Sequence, residues 1–211
     1  MILESFPVGP IACNCTILGD ENSHEALLVD PGAEAQRIQR RLAELGLTVK
    51  QILLTHAHID HVGAAWTIKQ ATNAPIFLNE NDLELLQMID TQATWLGIAP
   101  PEVGLPDEGL DDGQTVGLEH YPAKVLYTPG HSRGSVCLYF ADQKLLLSGD
   151  TLFAGSVGRT DLPGGDSSQI IQSIHAKLLP LPDDTTVIPG HGPGTTIGEE
   201  RIRNPYLRTE I

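Results

Sequence analysis

The sequence predicts an α/β fold, and three observations carry that expectation. Aliphatic runs of strand length alternate with amphipathic stretches of helix length along the whole chain. Four of the aliphatic runs end abruptly in short polar segments that contain histidine or aspartate. No low-complexity segment, short repeat or composition shift interrupts the pattern, so residues 1–211 are expected to form one domain.

In chain order, Ala26 to Val29 reads as a strand closed by the turn Asp30-Pro31-Gly32. Ile38, Leu42 and Leu45 then recur at helical spacing until Gly46 supplies a C-terminal cap. Ile52 to Leu54 is the next strand; Thr55 to His61 is polar, and Val62, Ala65, Trp66 and Lys69 open a helix. Pro75 to Leu78 reads as a short strand, and Leu83, Leu86 and Ile89 as one helix face. The Pro- and Gly-containing stretch Gly97 to Gly113 is expected to be a mobile loop. The second half is richer in strands, at Val125 to Tyr127, Val136 to Phe140, Leu145 to Leu147 and Val187 to Ile188. One helix, about Ser168 to Leu179, follows the N-cap candidate Asp166, and the chain after Ile197 reads as short and polar.

Composition excludes several classes of function. A formal net charge of −14 opposes long contacts with phosphate backbones, which need clustered Lys and Arg, so nucleic acid is not an expected partner. No apolar run is long enough to span a bilayer, and the first fifteen residues carry Glu4, no basic residue and no uninterrupted apolar stretch. A cytoplasmic protein without membrane contact is the expectation. Cys13, Cys15 and Cys137 are odd in number and irregularly placed, so they read as reduced thiols and small buried hydrophobes; a soft-metal pair at Cys13 and Cys15 is the other reading.

The chemistry lies where the strands stop. ILLTHAHIDH, VLYTPGH, LLLSGD and TVIPGH each end at a residue type that binds metals. Side-by-side strands deliver their carboxyl ends to one rim, so these distant segments are expected to converge. Five of the eight histidines, His56, His58, His61, His131 and His191, fall in these segments; His24, His120 and His175 stand in contexts with no partner motif. Taken singly, Asp60 reads as a helix cap, Asp150 as a turn residue, and His131 or His191 as a loop histidine. Taken together they offer five imidazoles and two carboxylates, more than one four-coordinate ion needs, which points to two divalent cations sharing a carboxylate. Imidazole and carboxylate accept zinc, iron or manganese alike, and zinc is taken as the expectation. No cysteine lies in these segments and Ser148 lacks a nucleophile-elbow pattern, so covalent catalysis is disfavoured.

These residues resemble a known family. T-H-A-H-I-D-H (Thr55 to His61), P-G-H-S (Pro129 to Ser132), G-D-T (Gly149 to Thr151) and P-G-H-G (Pro189 to Gly192) together resemble the metallo-β-lactamase superfamily. The stretch Gly149 to Asp166 and the ending E-R-I-R-N-P-Y-L are similar to bacterial glyoxalase II-like hydrolases. The resemblance implies a four-layer αββα sandwich of the metallo-β-lactamase fold. It also implies one metal held by His56, His58 and His131, a second by Asp60, His61 and His191, and Asp150 between them. It further implies hydrolysis of a small-molecule thioester of the hydroxyacylglutathione type by a metal-bridging hydroxide, with Asp60 orienting or receiving a proton. Arg159 occupies the position of a basic residue that holds the carboxylate end of the thiol moiety; a surface ion pair with Asp161 is its other reading.

The sequence departs from the family pattern in two places. It stops at Ile211, without the C-terminal helical region of full glyoxalase II enzymes, which leaves the thiol carrier open. S-R-G-S follows at Ser132 to Ser135, and Arg133 is left without a role. The rival enzymatic reading is a mononuclear-iron persulfide dioxygenase using His58, His131 and Asp150 as a facial triad. A β-lactamase and a non-catalytic metal-binding module are the further alternatives, the latter disfavoured by the complete donor set.

Overall fold

The computed structural model describes residues 1–208. Two six-stranded sheets lie face to face with helices on both outer faces, the αββα arrangement that the resemblance implies. The first sheet takes its strands in chain order: β1 (Ile2–Val8), β2 (Cys13–Gly19), β3 (Glu25–Val29), β4 (Thr48–Leu53), β5 (Ile76–Leu78) and β6 (Glu108–Gly109). The second sheet is built from β7 (Thr115–Leu118), β8 (Tyr121–Tyr127), β9 (Val136–Phe140), β10 (Leu145–Gly149), β13 (Thr186–Pro189) and β14 (Thr195–Thr196). A small hairpin of β11 (Leu152–Phe153) and β12 (Ser156–Val157) lies between β10 and the helix α6 (Ser167–Ser173).

The two-residue period of each strand sorts its side chains between layers. In β3, Leu27 and Val29 join Leu53 and Phe77 against Val125, Leu138 and Leu147 of the opposite sheet, while Ala26 and Leu28 face the helices. Burial on both faces explains why this strand reads as an unbroken aliphatic run. Outside the first sheet pack α1 (Ala35–Glu44), through Ile38 and Leu42, and α3 (Ala65–Thr72), through Ile68. Outside the second, α6 brings Ile170 and the π-turn that follows it, Ile174–Leu178, brings Ile174 and Leu178. Asp166 caps α6 as expected, accepting from Ser168 N and Gln169 N at 2.9 Å each.

Several elements differ from the sequence reading. The helix expected from Val62 is broken into α2 (Ile59–Val62) and α3, and the Leu83–Ile89 face into α4 (Leu83–Gln87) and α5 (Ile89–Leu96), which meet at Met88. The stretch 97–113 is tied at its middle to β5 and α3. Asp107 accepts from Ile76 N at 2.7 Å and pairs with Lys69, β6 extends the first sheet, and Leu110 is fully buried. The chain after Ile197 is no polar tail. It forms α7 (Ile197–Arg203), whose Ile197 packs in the outer core with Leu207. Glu200 is 3% exposed and accepts from Thr195 Oγ1, Gly155 N and Asn204 Nδ2 at 2.7–2.9 Å. Because the carboxylate is fully partnered, its burial is affordable where a polar sequence suggests exposure. Among the described residues no helix is long and apolar enough to cross a membrane.

Strand direction positions the chemistry. β8 and β10 are each antiparallel to β9, and β13 is parallel to β10, so β8, β10 and β13 all end at one edge of the second sheet. Val136 N donates to Thr55 O at 2.9 Å, which ties the end of β4 to that same edge.

Candidate metal centre

The structure brings together all seven residues expected to bind metal, in two adjoining clusters. In the first, His56 Nε2, His58 Nδ1 and His131 Nε2 converge, with separations of 3.0, 2.9 and 3.2 Å. In the second, His191 Nε2 stands 3.0 Å from Asp60 Oδ2 and 3.3 Å from His61 Nε2. Asp150 lies between them. Its Oδ2 is 3.5 Å from His131 Nε2 and 3.7 Å from His191 Nε2, and its Oδ1 is 3.5 Å from His61 Nε2.

The outer faces of the imidazoles decide which nitrogen presents a lone pair inward. His131 Nδ1 donates to Arg159 O at 2.8 Å and His191 Nδ1 to Ile11 O at 3.1 Å. Asp30 does the same for two more rings. Its Oδ2 accepts from His61 Nδ1 at 3.0 Å and from Thr55 Oγ1 at 2.7 Å. With its own proton committed to Asp30, the Thr55 hydroxyl is left to accept from His56 Nδ1 at 3.1 Å. All four rings thus carry a proton on the outer Nδ1 and turn Nε2 inward, the tautomer from which a cation can be held. Asp30 itself sits at φ 51°, a left-handed conformation sustained by Thr55 N, which donates to Oδ1 at 2.8 Å.

Charge divides the two clusters. Burial above all, and then the neighbouring rings, hold His56 well below its ordinary range and push His58 down to about 3. Burial likewise lowers His131. All three are neutral at pH 7, with lone pairs free. In the second cluster burial opposes ionisation, yet surrounding acidic groups, Asp60 and Asp150 among them, outweigh it and raise His61 and His191. Burial also acts to raise Asp60, but His61 and His191 overcome it and hold the carboxyl well below the usual carboxylate range. Asp150 Oδ1 is buried with no hydrogen-bond partner among the described residues. Converging lone pairs, an unpartnered carboxylate oxygen and an acidic second cluster together fit divalent cations.

Two residues that sequence reasoning passed over hold the loops in place. Asp82 is fully buried and accepts from Ala57 N at 3.0 Å, from Ser132 Oγ at 2.7 Å and from Gly134 N, so it fastens the His56–His58 loop to the His131 loop. Gln92, from α5, accepts from Ile59 N at 2.9 Å and donates to Ala57 O at 3.2 Å. Asp30 was legible only as a turn residue. Nothing local marks Asp82 or Gln92 as loop fasteners, because the loop groups they bind are 25 to 52 residues away in sequence.

Arg159 is 61% exposed and bound bidentately to Asp161, with Nε and a terminal nitrogen 2.7 and 2.8 Å from its carboxylate oxygens. This is the surface-pair alternative for its side chain, while its carbonyl orients His131. Arg133 pairs with Glu84 on the surface. Next to Asp60 opens a cavity of about 250 Å³ with largely apolar walls, among them Val8, Ala33, Ile59, Thr67, Leu96 and Ile98.

A family model described as the metallo-beta-lactamase superfamily matches residues 8–191. The chain is 40% identical over 212 residues to the hydroxyacylglutathione hydrolase GloC of Haemophilus influenzae, covering 100% of both chains. Among solved structures it is similar to the BLEG-1 B3 metallo-beta-lactamase, with a TM-score of 0.92 and 38% identity over 99% of this chain and 100% of the other. It is similar also to TTHA1623 in a di-iron-bound form, with a TM-score of 0.87 and 41% identity over 95% and 98%. ETHE1 from Myxococcus xanthus matches at a TM-score of 0.82 and 28% identity over 97% and 84%. The two-sheet fold, the convergent histidines and aspartates, and a family match spanning most of the sequence lead to one conclusion: the chain belongs to the metallo-beta-lactamase superfamily.

Proposed function

We propose that the protein is a glyoxalase II-like hydrolase that cleaves a small-molecule thioester at a paired-cation centre. His56, His58 and His131 would hold one ion, Asp60, His61 and His191 the other, and Asp150 would be shared. The observation that carries this reading is the position of Asp150, whose Oδ2 lies 3.5 Å from His131 of the first cluster and 3.7 Å from His191 of the second, with Oδ1 3.5 Å from His61. End-to-end similarity to a hydroxyacylglutathione hydrolase supports the thioester. When bound, two divalent cations, zinc by preference and iron or manganese by donor type, supply a nucleophile at neutral pH and positive charge for a developing oxyanion.

The chain's own groups do the rest. His61 and His191 keep Asp60 ionised and it lines the cavity, so it can orient the nucleophile or receive its proton. The apolar walls beside it receive the acyl group and exclude water from the acyl carbon. A thiolate departs without a strong general acid, because a thiol ionises near pH 8.5. Arg159 reaches a substrate carboxylate by exchanging Asp161 for it.

The test is metal analysis of the purified protein combined with turnover of S-lactoylglutathione, glutathione persulfide under oxygen, and a chromogenic cephalosporin. Two ions per chain with thioester hydrolysis is the expected result. One iron with oxygen consumption would instead favour the dioxygenase, whose triad would pivot on His131, the ring within 3.5 Å of both His58 and Asp150. Hydrolysis of the cephalosporin alone would favour a β-lactamase, and full metal loading with no turnover a binding module.

Two variants test the site's shape. A Cβ at Gly190 would stand 2.1 Å from Asp150 Oδ1 and 2.7 Å from His61 Cε1, so Gly190→Ala is expected to weaken uptake of the second equivalent of metal by about tenfold or more, read by titration. Thr67 is exposed at the cavity wall. Thr67→Phe is expected to raise KM for bulky acyl groups by about tenfold with little change for a short one; equal effects on both would show that acyl groups bind elsewhere.

A further inference from the structure

We propose that Cys13 is an additional protein donor to the second cation, a soft ligand that biases this position towards zinc or cobalt and away from manganese. The inference rests on the paired-cation reading and deepens it. Cys13 opens β2, is fully buried, and forms an isolated antiparallel bridge with His191. Its neighbour Asn14 clamps the two segments together. The backbone N–H donates to Gly190 O at 2.7 Å, and the side chain donates to Pro189 O at 2.9 Å and to Gly192 O at 3.0 Å. The strand that carries the thiol and the loop that carries His191 are therefore one rigid unit.

Within that unit the Cys13 sulfur and one ligand atom each from Asp60, His61 and His191 all lie within 4.8 Å of one another. Donors sharing one tetrahedral ion stand about 3.5 Å apart, so four protein groups from three segments are within reach of a single cation after a small approach. Asp150 Oδ1, buried and without a hydrogen-bond partner among the described residues, lies 3.5 Å from His61 Nε2 in an adjoining group that shares His61. Cys13 and Cys15 both border the helix-side core, but Cys13 alone of the two also stands in a group of potential metal ligands. On its other side the Cys13 sulfur faces two imidazoles and a carboxylate, and it donates weakly to Asp30 O at 3.9 Å. Cys137 is committed elsewhere, to Ser148 O at 3.4 Å and Thr128 Oγ1 at 3.3 Å. Coordination forms a sulfur–metal bond and releases the thiol proton to buffer. Sulfur is the softest donor present, and softness favours zinc and cobalt over manganese.

Cobalt(II) reconstitution of the full chain tests this independently of activity. The wild-type protein is expected to develop a near-ultraviolet thiolate-to-cobalt charge-transfer band within two equivalents of cobalt. Cys13→Ser should lose the band and bind the second equivalent at least about tenfold more weakly. Cys15→Ser and Cys137→Ser should keep the band; if Cys13→Ser misfolds by circular dichroism, Cys13→Ala supplies the comparison. Two cobalt ions bound to the wild type without the band, or a band that survives in the Cys13 variants, would overturn the inference and leave the paired-cation reading intact. Absence of cobalt binding would overturn both.

Discussion

Asp60→Asn is expected to lower kcat for thioester hydrolysis by about 10²- to 10⁴-fold, the usual contribution of a positioned proton acceptor. The side chain belongs to the first turn of α2 and is 13% exposed, so it is largely removed from water yet open to the cavity. Burial alone would raise its carboxyl towards neutrality; the adjacent His61 and His191 reverse that and keep it ionised. Asparagine preserves the volume, and its Oδ1 remains a donor atom towards a cation, but it cannot accept a proton near neutral pH. The decisive measurement is kcat together with metal content in the same sample. A variant that retains its metal and loses kcat supports the proton role. One that loses metal in proportion to activity makes Asp60 a ligand only, and one that keeps both excludes it from the reaction.

Asp82→Ala is expected to destabilise the fold by about 3 to 5 kcal/mol, the cost of leaving donors buried without a partner after a buried charged group is removed. For a chain of this length that corresponds to a fall in Tm of about 10 °C. Asp82 is fully buried, and Ala57 N, Ser132 Oγ and Gly134 N all donate to it. Two of those donors flank the metal-site loops at His56–His58 and His131, so metal affinity should fall with stability. Asp82→Asn keeps one acceptor oxygen and should recover part of the loss in Tm. A thermal melt that leaves Asp82→Ala within 2 °C of wild type would show that these loops are held by other contacts.

What was legible in the sequence was local. Each of T-H-A-H-I-D-H, P-G-H-S, G-D-T and P-G-H-G follows an aliphatic run, so residue type and strand end could be read together, and all seven of these side chains meet in the structure. The strands from Ala26, Ile52 and Leu145 were legible because burial on both faces demands unbroken aliphatic runs. The edge strand β1 was not, because one face is solvated and its alternation, Ile2, Glu4 and Phe6 against Leu3 and Ser5, carries no strong apolar period. Helix α7 was missed because Ile197 is its one buried hydrophobe and the rest of its inner side is secured by the polar Glu200 and Asn204.

The sequence by itself determined the α/β class and the histidines and aspartates gathered at one rim, because those follow from strand ends and side-chain chemistry, while the αββα layering was implied by the family resemblance. Only the tertiary structure decided that Asp30 orients two imidazoles, that Asp82 ties two loops, that Arg159 is spent on Asp161, and that Cys13 lies beside His61 and His191. The physical reason is common to all four. The worth of a polar side chain depends on its partner and its solvation, and except for Arg159 those partners come from distant parts of the chain, brought together when the two sheets close.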